Sequence, residues 1–355
     1  MPISPADAER EAEEIRRIYA EAERTIIEKI ARRVARGIDT ADDSWYAIKL
    51  TEVSQLRREV EAEIRRLRQA DREVERVVAT AYREGSTAAI ADLRRVTRAS
   101  VAIRTAFTRA NEDAVRRLAQ AVVGNLEATQ FRILRAAEDV YRQVIAETAV
   151  PQVLTGVLTR REAAQRALDR FAELGISGFV DRAGRSWSLE SYAEMAVRTG
   201  LGQAAVQGHI DKLIENNRDL VIVSDSPEEC EKCRPWEGRI LSLTGQTPGY
   251  PTVDQARAAG LFHPNCTHRF GLYVPGLTRP MSGTAAPQRY EERQQQRYIE
   301  RQIRKWKLRE AAAITDDAKR LASAKVRDWQ AVMRRFIAET GRIRKPSREQ
   351  IGKAR

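Results

Sequence analysis

Apolar residues recur at steps of three and four through most of the first 170 positions. Ile15, Tyr19, Ala22, Ile26, Ile30 and Val34 share one side of a helix, and Gly37 closes that run. Ser4-Pro5-Ala-Asp7 in front of it forms a helix start, with Ser4 as N-cap and Pro5 in the first turn. A second run opens near Asp43-Ser44 and carries Val53, Leu56, Val60, Ile64 and Leu67. Further helical periods cover roughly 73–82, 86–111, 112–148 and 150–174, interrupted only by Gly85 and Pro151. The polar faces of these runs are rich in Glu and Arg. That pattern predicts a helical bundle with solvated charges rather than a membrane or nucleic-acid role for residues 1–170.

The periodicity changes near Leu174-Gly175. Residues 179–189 read as a hairpin with its turn at 181–184, followed by one helix through Tyr192 and Met195 and a second from about Gly202 to Glu215. Residues 219–224 and 238–243 are short buried-strand patterns, and residues 275–288 are a linker rich in Pro, Gly and Thr. A charged helical tail then runs from about 289 to 340, with Tyr298, Ile303, Trp306, Val326, Trp329, Val332 and Phe336 as its apolar stripe. The last fifteen residues read as frayed.

A length of 355 residues suggests about two domains. The net charge of +12 is unevenly placed: residues 288–355 hold 20 Lys/Arg against 9 Asp/Glu, while residues 1–220 hold 36 against 35. The basic balance of the C-terminal fifth implies an anionic partner there, either nucleic acid or an acidic protein surface. The polar N-terminus carries no export signal, and no stretch nears the ~18 apolar residues of a membrane span. A soluble protein made in a cytosol is expected.

The chemistry is concentrated in one window. All three cysteines and two of the three histidines lie in Cys230-Glu-Lys-Cys233 and His263-Pro-Asn-Cys266-Thr-His268. A Cys-x-x-Cys turn presents two thiolates to one Zn²⁺, and a second cluster completes a tetrahedral shell. Three reduced cysteines can also be small buried hydrophobes, but random placement rarely groups them with histidines at these spacings. Cys230, Cys233 and Cys266 are the first three candidate ligands. His268 is favoured as the fourth, with His263 as its competitor or as a supporting residue. Enough ligands are available to close the shell, so the ion reads as structural. His209-Ile-Asp211 ahead of the Cys-x-x-Cys superficially fits a zinc deaminase, which carries His-x-Glu before Pro-Cys-x-x-Cys. Here the acid is Asp, the proline is displaced to Pro227, and Cys266 and His268 would have no role. No GxSxG elbow, Walker A loop or HExxH helix occurs.

Four segments resemble the phage minor capsid proteins: Ser191-Tyr192-Ala-Glu194-Met195-Ala-Val-Arg198-Thr199, Asp219-Leu-Val-Ile-Val-Ser224, Cys230-x-x-Cys233-x-Pro235-Trp236-x-Gly238 and Gly260-Leu-Phe-His263-Pro264-Asn265-Cys266-x-His268. The tail, from Gln294 through Arg304 to Arg348, is similar to that family as well. The group resembles the head-morphogenesis proteins like Mu F, whose comparable segment ends HPxCxC; here His268 replaces the last cysteine and can still ligate zinc. The resemblance spans roughly residues 170–350 and implies a non-enzymatic, low-copy component of a tailed-phage head near the portal. Its implied partners are the portal protein, the major capsid protein or scaffold, and packaged genomic DNA, with no membrane and no small-molecule substrate. The virion is the implied location, with the host cytoplasm as the site of assembly.

The expected fold class is α-rich, α+β. Residues 1–170 form a helical partner-binding region, 171–280 a small zinc-stabilised α+β module, and 281–355 a linker and basic helical tail. The expected cofactor is structural Zn²⁺, fixing loops 224–237 and 261–271 against each other. Arg297, Arg301, Arg304, Lys305 and Lys307 are the expected contacts to DNA or an acidic surface. The alternative is a zinc-dependent nucleic-acid-modifying enzyme or toxin.

Overall fold

A computed structural model describes residues 5–39, 43–97, 101–148, 153, 158–175, 179–180, 186–226, 228, 230–278 and 287–352. The described helices are α1 (Pro5–Ala35), α2 (Asp43–Thr51), α3 (Val53–Val96), α4 (Arg109–Glu147), α5 (Arg160–Leu174), α6 (Leu189–Glu215), α7 (Val253–Ala258), α8 (Pro287–Ala311) and α9 (Asp316–Thr340). The antiparallel pair β1 (Phe179–Val180) and β2 (Ser186–Trp187) forms the expected hairpin. A second antiparallel sheet has the order β4 (Ile240–Ser242), β3 (Leu220–Val223), β5 (Phe270–Leu272). The α-rich, α+β class expected from the pattern is what forms. Ser4, Pro151, the turn at 181–184 and residues 279–286 of the linker lie outside the described residues.

Several boundaries differ from the sequence pattern, each for a local reason. Gly85 does not interrupt α3, because it is a packing site: a Cβ there would stand 1.9 Å from the Ala205 carbonyl oxygen of α6. Residues 86–111 are not one helix, since α3 ends at Val96 and residues 102–108 before α4 have no regular structure. This irregular segment is tied to the end of α6, where Lys212 Nζ donates to the Ala106 carbonyl (2.8 Å) and Arg104 N to Asn216 Oδ1 (2.8 Å). Residues 189–215 form one helix rather than two. α5 begins only at Arg160, behind a capping box in which Thr159 and Glu162 satisfy each other's backbone N–H groups. The tail breaks between α8 and α9, where Thr315 caps α9 through Ala318 N. The C-terminal stretch is not frayed through 352, because Arg348 and Glu349 are buried.

The chain divides into two compact units, each drawn from separate stretches. One comprises residues 1–12, 71–125 and 194–294. Its core joins Ala89 and Leu93 of α3 and Val206, Ile210 and Leu213 of α6 to Val221, Val223, Leu241, Phe270 and Leu272 of the sheet. The α3–α6 crossing in this unit is a backbone contact. Gly208 mirrors Gly85, with its Cβ position 2.0 Å from the Tyr82 carbonyl oxygen, and Ser86 Oγ donates to the Gly208 carbonyl. Cys233 belongs to the same core, with Cys230 and Cys266 packed against it.

The other unit comprises residues 13–70, 126–193 and 295–355. Ile15, Tyr19, Ile26, Ile30 and Val34 form the fully buried stripe of α1. Buried charges knit this unit together. Arg16 has no exposed surface; it pairs with Glu190 (2.7 Å) and donates to the Ser347 and Gln350 carbonyls. Arg304 pairs with the same Glu190, and Arg348 with Glu300 (2.9 Å). Such pairs are satisfied only while every partner stays in place, which ties residues 347–350 to α1 and α8.

Candidate metal centre

Two connections of the small sheet carry the cysteine and histidine residues. The first joins β3 to β4. There Cys233 N and Arg234 N both donate to the Cys230 carbonyl (3.1 and 3.0 Å), making the tight turn that a Cys-x-x-Cys pair needs. A single 3₁₀ turn over Arg234–Trp236, with Pro235 at its start, follows, and Gly238 at φ +69° returns the chain to the sheet.

The second connection joins α7 to β5. Thr252 and Gln255 form the capping box of α7, and the Leu261 N–H closes its end on the Ala256 carbonyl. Gly260, Phe262 and Asn265 then adopt φ of +107°, +59° and +69°. A bulky residue such as Phe in this region costs of order 1–3 kcal/mol and persists only when its surroundings hold it. The Phe262 ring meets Phe270 edge to face at 4.9 Å, which supplies that hold. The left-handed residues bracket His263-Pro264, and Cys266 N donates back to the His263 carbonyl (2.9 Å). Antiparallel pairing then brings the two connections together. Val223 faces Phe270 in the register, Ser224 N donates to the Arg269 carbonyl, and Ser226 Oγ lies 3.0 Å from Thr267 Oγ1.

All five sequence-predicted donors collect here, as two groups sharing Cys233: Cys230, Cys233 and His263, and Cys233, Cys266 and His268. Within each group the ligand atoms lie within 4.8 Å of one another. Cys233 Sγ is 3.6 Å from Cys266 Sγ, which is 3.4 Å from His268 Nδ1; Cys230 Sγ is 2.9 Å from His263 Nε2. Each histidine has its other nitrogen on an acceptor, His268 Nε2 on Glu237 Oε1 (2.6 Å) and His263 Nδ1 on the Pro264 carbonyl (2.8 Å). The donor set of three sulfurs and two imidazoles fits zinc. Cys233 and Cys266 hold their protons unequally. The hydrogen bond from Cys233, helped by His268, brings the Cys266 thiol down to about 4, and the Cys266 sulfur pushes Cys233 up in turn. Burial alone would lower His268, but Cys266 and Glu237 outweigh it and hold it above its ordinary value.

Glu237 is the site residue the sequence did not mark as part of the cluster. It is buried, accepts from Ser226 N (3.1 Å), and had only its place just after the Cys-x-x-Cys turn as a signal. His209 is buried on α6, 3.8 Å from Asp92, and is not among the side chains that converge on the cysteines. Asp211, the acid of the deaminase-like pattern, is taken up by Tyr82 and Gln207.

The candidate contacts on α8 have a mixed placement. Arg304 is buried against Glu190, Lys305 pairs with Glu173, and Lys307 is bound to Gln350 (2.8 Å). Arg301 is exposed and Arg297 half-buried. The charge that suggested a free basic arm is largely consumed within its own unit.

The profile of a family described as phage minor capsid protein 2 matches residues 3–338. A structural protein of Lactococcus phage LL-H is 28% identical over 216 residues, 56% of this chain and 58% of that protein. A structural protein of Lactococcus phage mv4 is 33% identical over 115 residues, 29% of this chain and 94% of that protein. The chain thus spans a little over half the length of the LL-H protein. No solved structure matches it.

Proposed function

The chain belongs to the phage minor capsid protein 2 family, and from that premise we propose that it is a low-copy head component, docked at the portal and acting in head morphogenesis. It is a structural protein of a bacteriophage particle, so its partners are other components of the virion. The portal protein and the major capsid protein or scaffold are the partners this reading names. No described helix is long and apolar enough to cross a membrane.

The observation that carries the proposal is the meeting of the 224–237 and 261–271 connections at one set of sulfur and imidazole donors. When bound, zinc supplies a cross-link between these connections. Cys230 and Cys233 hold one connection to that point, and Cys266 with a histidine holds the other. The sheet pairing and the left-handed turns set their spacing. The product is a stiff loop surface on a small core, suited to docking. Glu237 supports a structural ion over a catalytic one: it stands on the far nitrogen of His268, where it orients a ligand rather than a metal-bound water.

Contact with packaged DNA or an acidic capsid surface is assigned to the tail, through α9 rather than α8. Arg327, Arg334 and Arg335 are exposed on α9 and make no ion pair among the described residues. Portal-containing assemblies purified from infected cells test the whole reading. The protein should co-purify with the portal at a few copies per particle, carrying about one zinc per chain. Absence from such assemblies, or abundance matching the major capsid protein, would refute it.

A further inference from the structure

The zinc reading leaves five donors for four positions, and the following assignment rests on that reading. We infer that Cys230, Cys233, Cys266 and His268 are the ligands, that Glu237 is the positioning residue for His268, and that His263 stays off the ion as the hydrogen-bond partner of Cys230.

Ligand spacing separates the two groups. With Zn–S near 2.3 Å and Zn–N near 2.0–2.1 Å, two sulfurs on one tetrahedral ion lie ~3.8 Å apart, and a sulfur and a nitrogen ~3.5 Å apart. The Cys233–Cys266 distance of 3.6 Å and the Cys266–His268 distance of 3.4 Å already match these edges. Cys230 and His263, 2.9 Å apart, are at hydrogen-bond distance and too close to share the ion as they stand. Three positions are therefore set by Cys233, Cys266 and His268, and the fourth falls to one member of the Cys230–His263 pair.

His268 is built as a ligand. Its side chain is only 2% exposed, and Glu237, 6% exposed, accepts from Nε2. A carboxylate cannot donate, so Nε2 carries the proton against Glu237, which leaves Nδ1 as the nitrogen available to an ion. A metal-bound histidine braced by a carboxylate is the common arrangement at zinc sites. Glu237 is itself braced by Ser226 N, and so links the histidine to the first connection. His263 has no comparable brace, since its Nδ1 rests on the carbonyl of the very next residue and moves with its own loop.

Cys230 takes the remaining place. The backbone bonds of the turn fix it to Cys233, and as a ligand its sulfur can still meet the His263 ring. With His263 ligated instead, Cys230 would be a thiol beside the ion with no partner.

The purified full chain tests this through zinc affinity, measured by competition with a chromophoric chelator, and through Co²⁺ absorption, whose sulfur-to-metal band grows with the number of bound thiolates. Glu237→Gln should weaken zinc binding about 10- to 100-fold while leaving the cobalt spectrum unchanged. His268→Ala should weaken it further, and Cys230→Ser should lower the sulfur band. His263→Ala should stay within about threefold of the parent. Far-UV circular dichroism of each metal-free variant separates lost ligation from lost folding. Equal losses from His263→Ala and His268→Ala, or no effect of Glu237→Gln, would overturn this assignment while sparing the zinc reading. A parent protein that takes up no zinc would overturn both.

Discussion

Gly202 and Gly208 lie six residues apart in α6, and alanine should move stability in opposite directions at the two. A Cβ at Gly202 meets nothing within 4 Å, so Gly202→Ala should gain the usual helix-interior preference of ~1 kcal/mol. At Gly208 the same Cβ stands 2.0 Å from the Tyr82 carbonyl oxygen and 3.2 Å from Ser86 Oγ. Carbon and oxygen settle near 3.3 Å, so α3 and α6 must part by more than ~1 Å. Overpacking of that kind costs about 1–3 kcal/mol, and weakening the Ser86 bond to the Gly208 carbonyl about 1 kcal/mol more. Net of the propensity gain, Gly208→Ala should lose roughly 2 kcal/mol. For a unit of this size that lowers the melting temperature by about 4–8 °C, against a rise of about 2–4 °C for Gly202→Ala. Thermal melts followed by circular dichroism give both shifts, and hydrogen exchange over residues 82–89 locates them. A Gly208→Ala protein melting at or above the parent would refute the backbone-contact crossing.

Four other perturbations follow from the same geometry. Burial pushes the Asp219 carboxyl up, but hydrogen bonds from Ser242, Thr244 and Thr247 outweigh it and hold the group down to about 2. A lowered folded value means the contribution is complete above the unfolded value of 3.8 and is lost as pH falls toward 2. Solvent screening at this half-buried carboxyl reduces that contribution, so Asp219→Asn should remove about 1 kcal/mol at neutral pH and flatten acid unfolding in urea titrations between pH 4 and 2. Arg304→Glu should destabilise the chain by about 3–5 kcal/mol, because it leaves Glu190 buried beside a like charge. Combined reversal of Arg327, Arg334 and Arg335 should leave melting within about 0.5 kcal/mol while weakening salt-dependent DNA retention. Unchanged retention would remove the tail from any DNA contact. Chelation should speed hydrogen exchange in 224–237 and 261–271 far more than in α6, and uniform protection in both states would count against a zinc cross-link.

How far the sequence reveals this molecule depends on whether a signal is local. Long helices follow from three- and four-residue periodicity, and the Ile15–Val34 stripe of α1 is buried where that period puts it. The cysteine window is conspicuous because Cys and His are rare in this chain, so their grouping stands out without knowledge of the fold. What depends on distant partners is hidden. Gly85 reads as a helix break until the Ala205 carbonyl is set against it. Arg304 and Arg348 read as solvated tail charge until Glu190 and Glu300 enclose them, which makes net charge a poor guide to the binding surface here. Glu237 is one acid among fifty in the sequence, and only the β3–β5 pairing brings it to His268.

The same distinction bears on what the metal can do. The sheet register and the left-handed turns at Phe262 and Asn265 bring Cys233, Cys266 and His268 to the spacing a tetrahedral ion needs. The core of the surrounding unit joins α3 and α6 to the sheet, so the proposed ion has to draw in Cys230 and stiffen the two connections rather than build that core. If zinc binds as proposed, chelation should loosen connections 224–237 and 261–271 while the α3–α6 core persists, and head assembly should fail before the fold does. Global unfolding on chelation would instead make the ion part of the core.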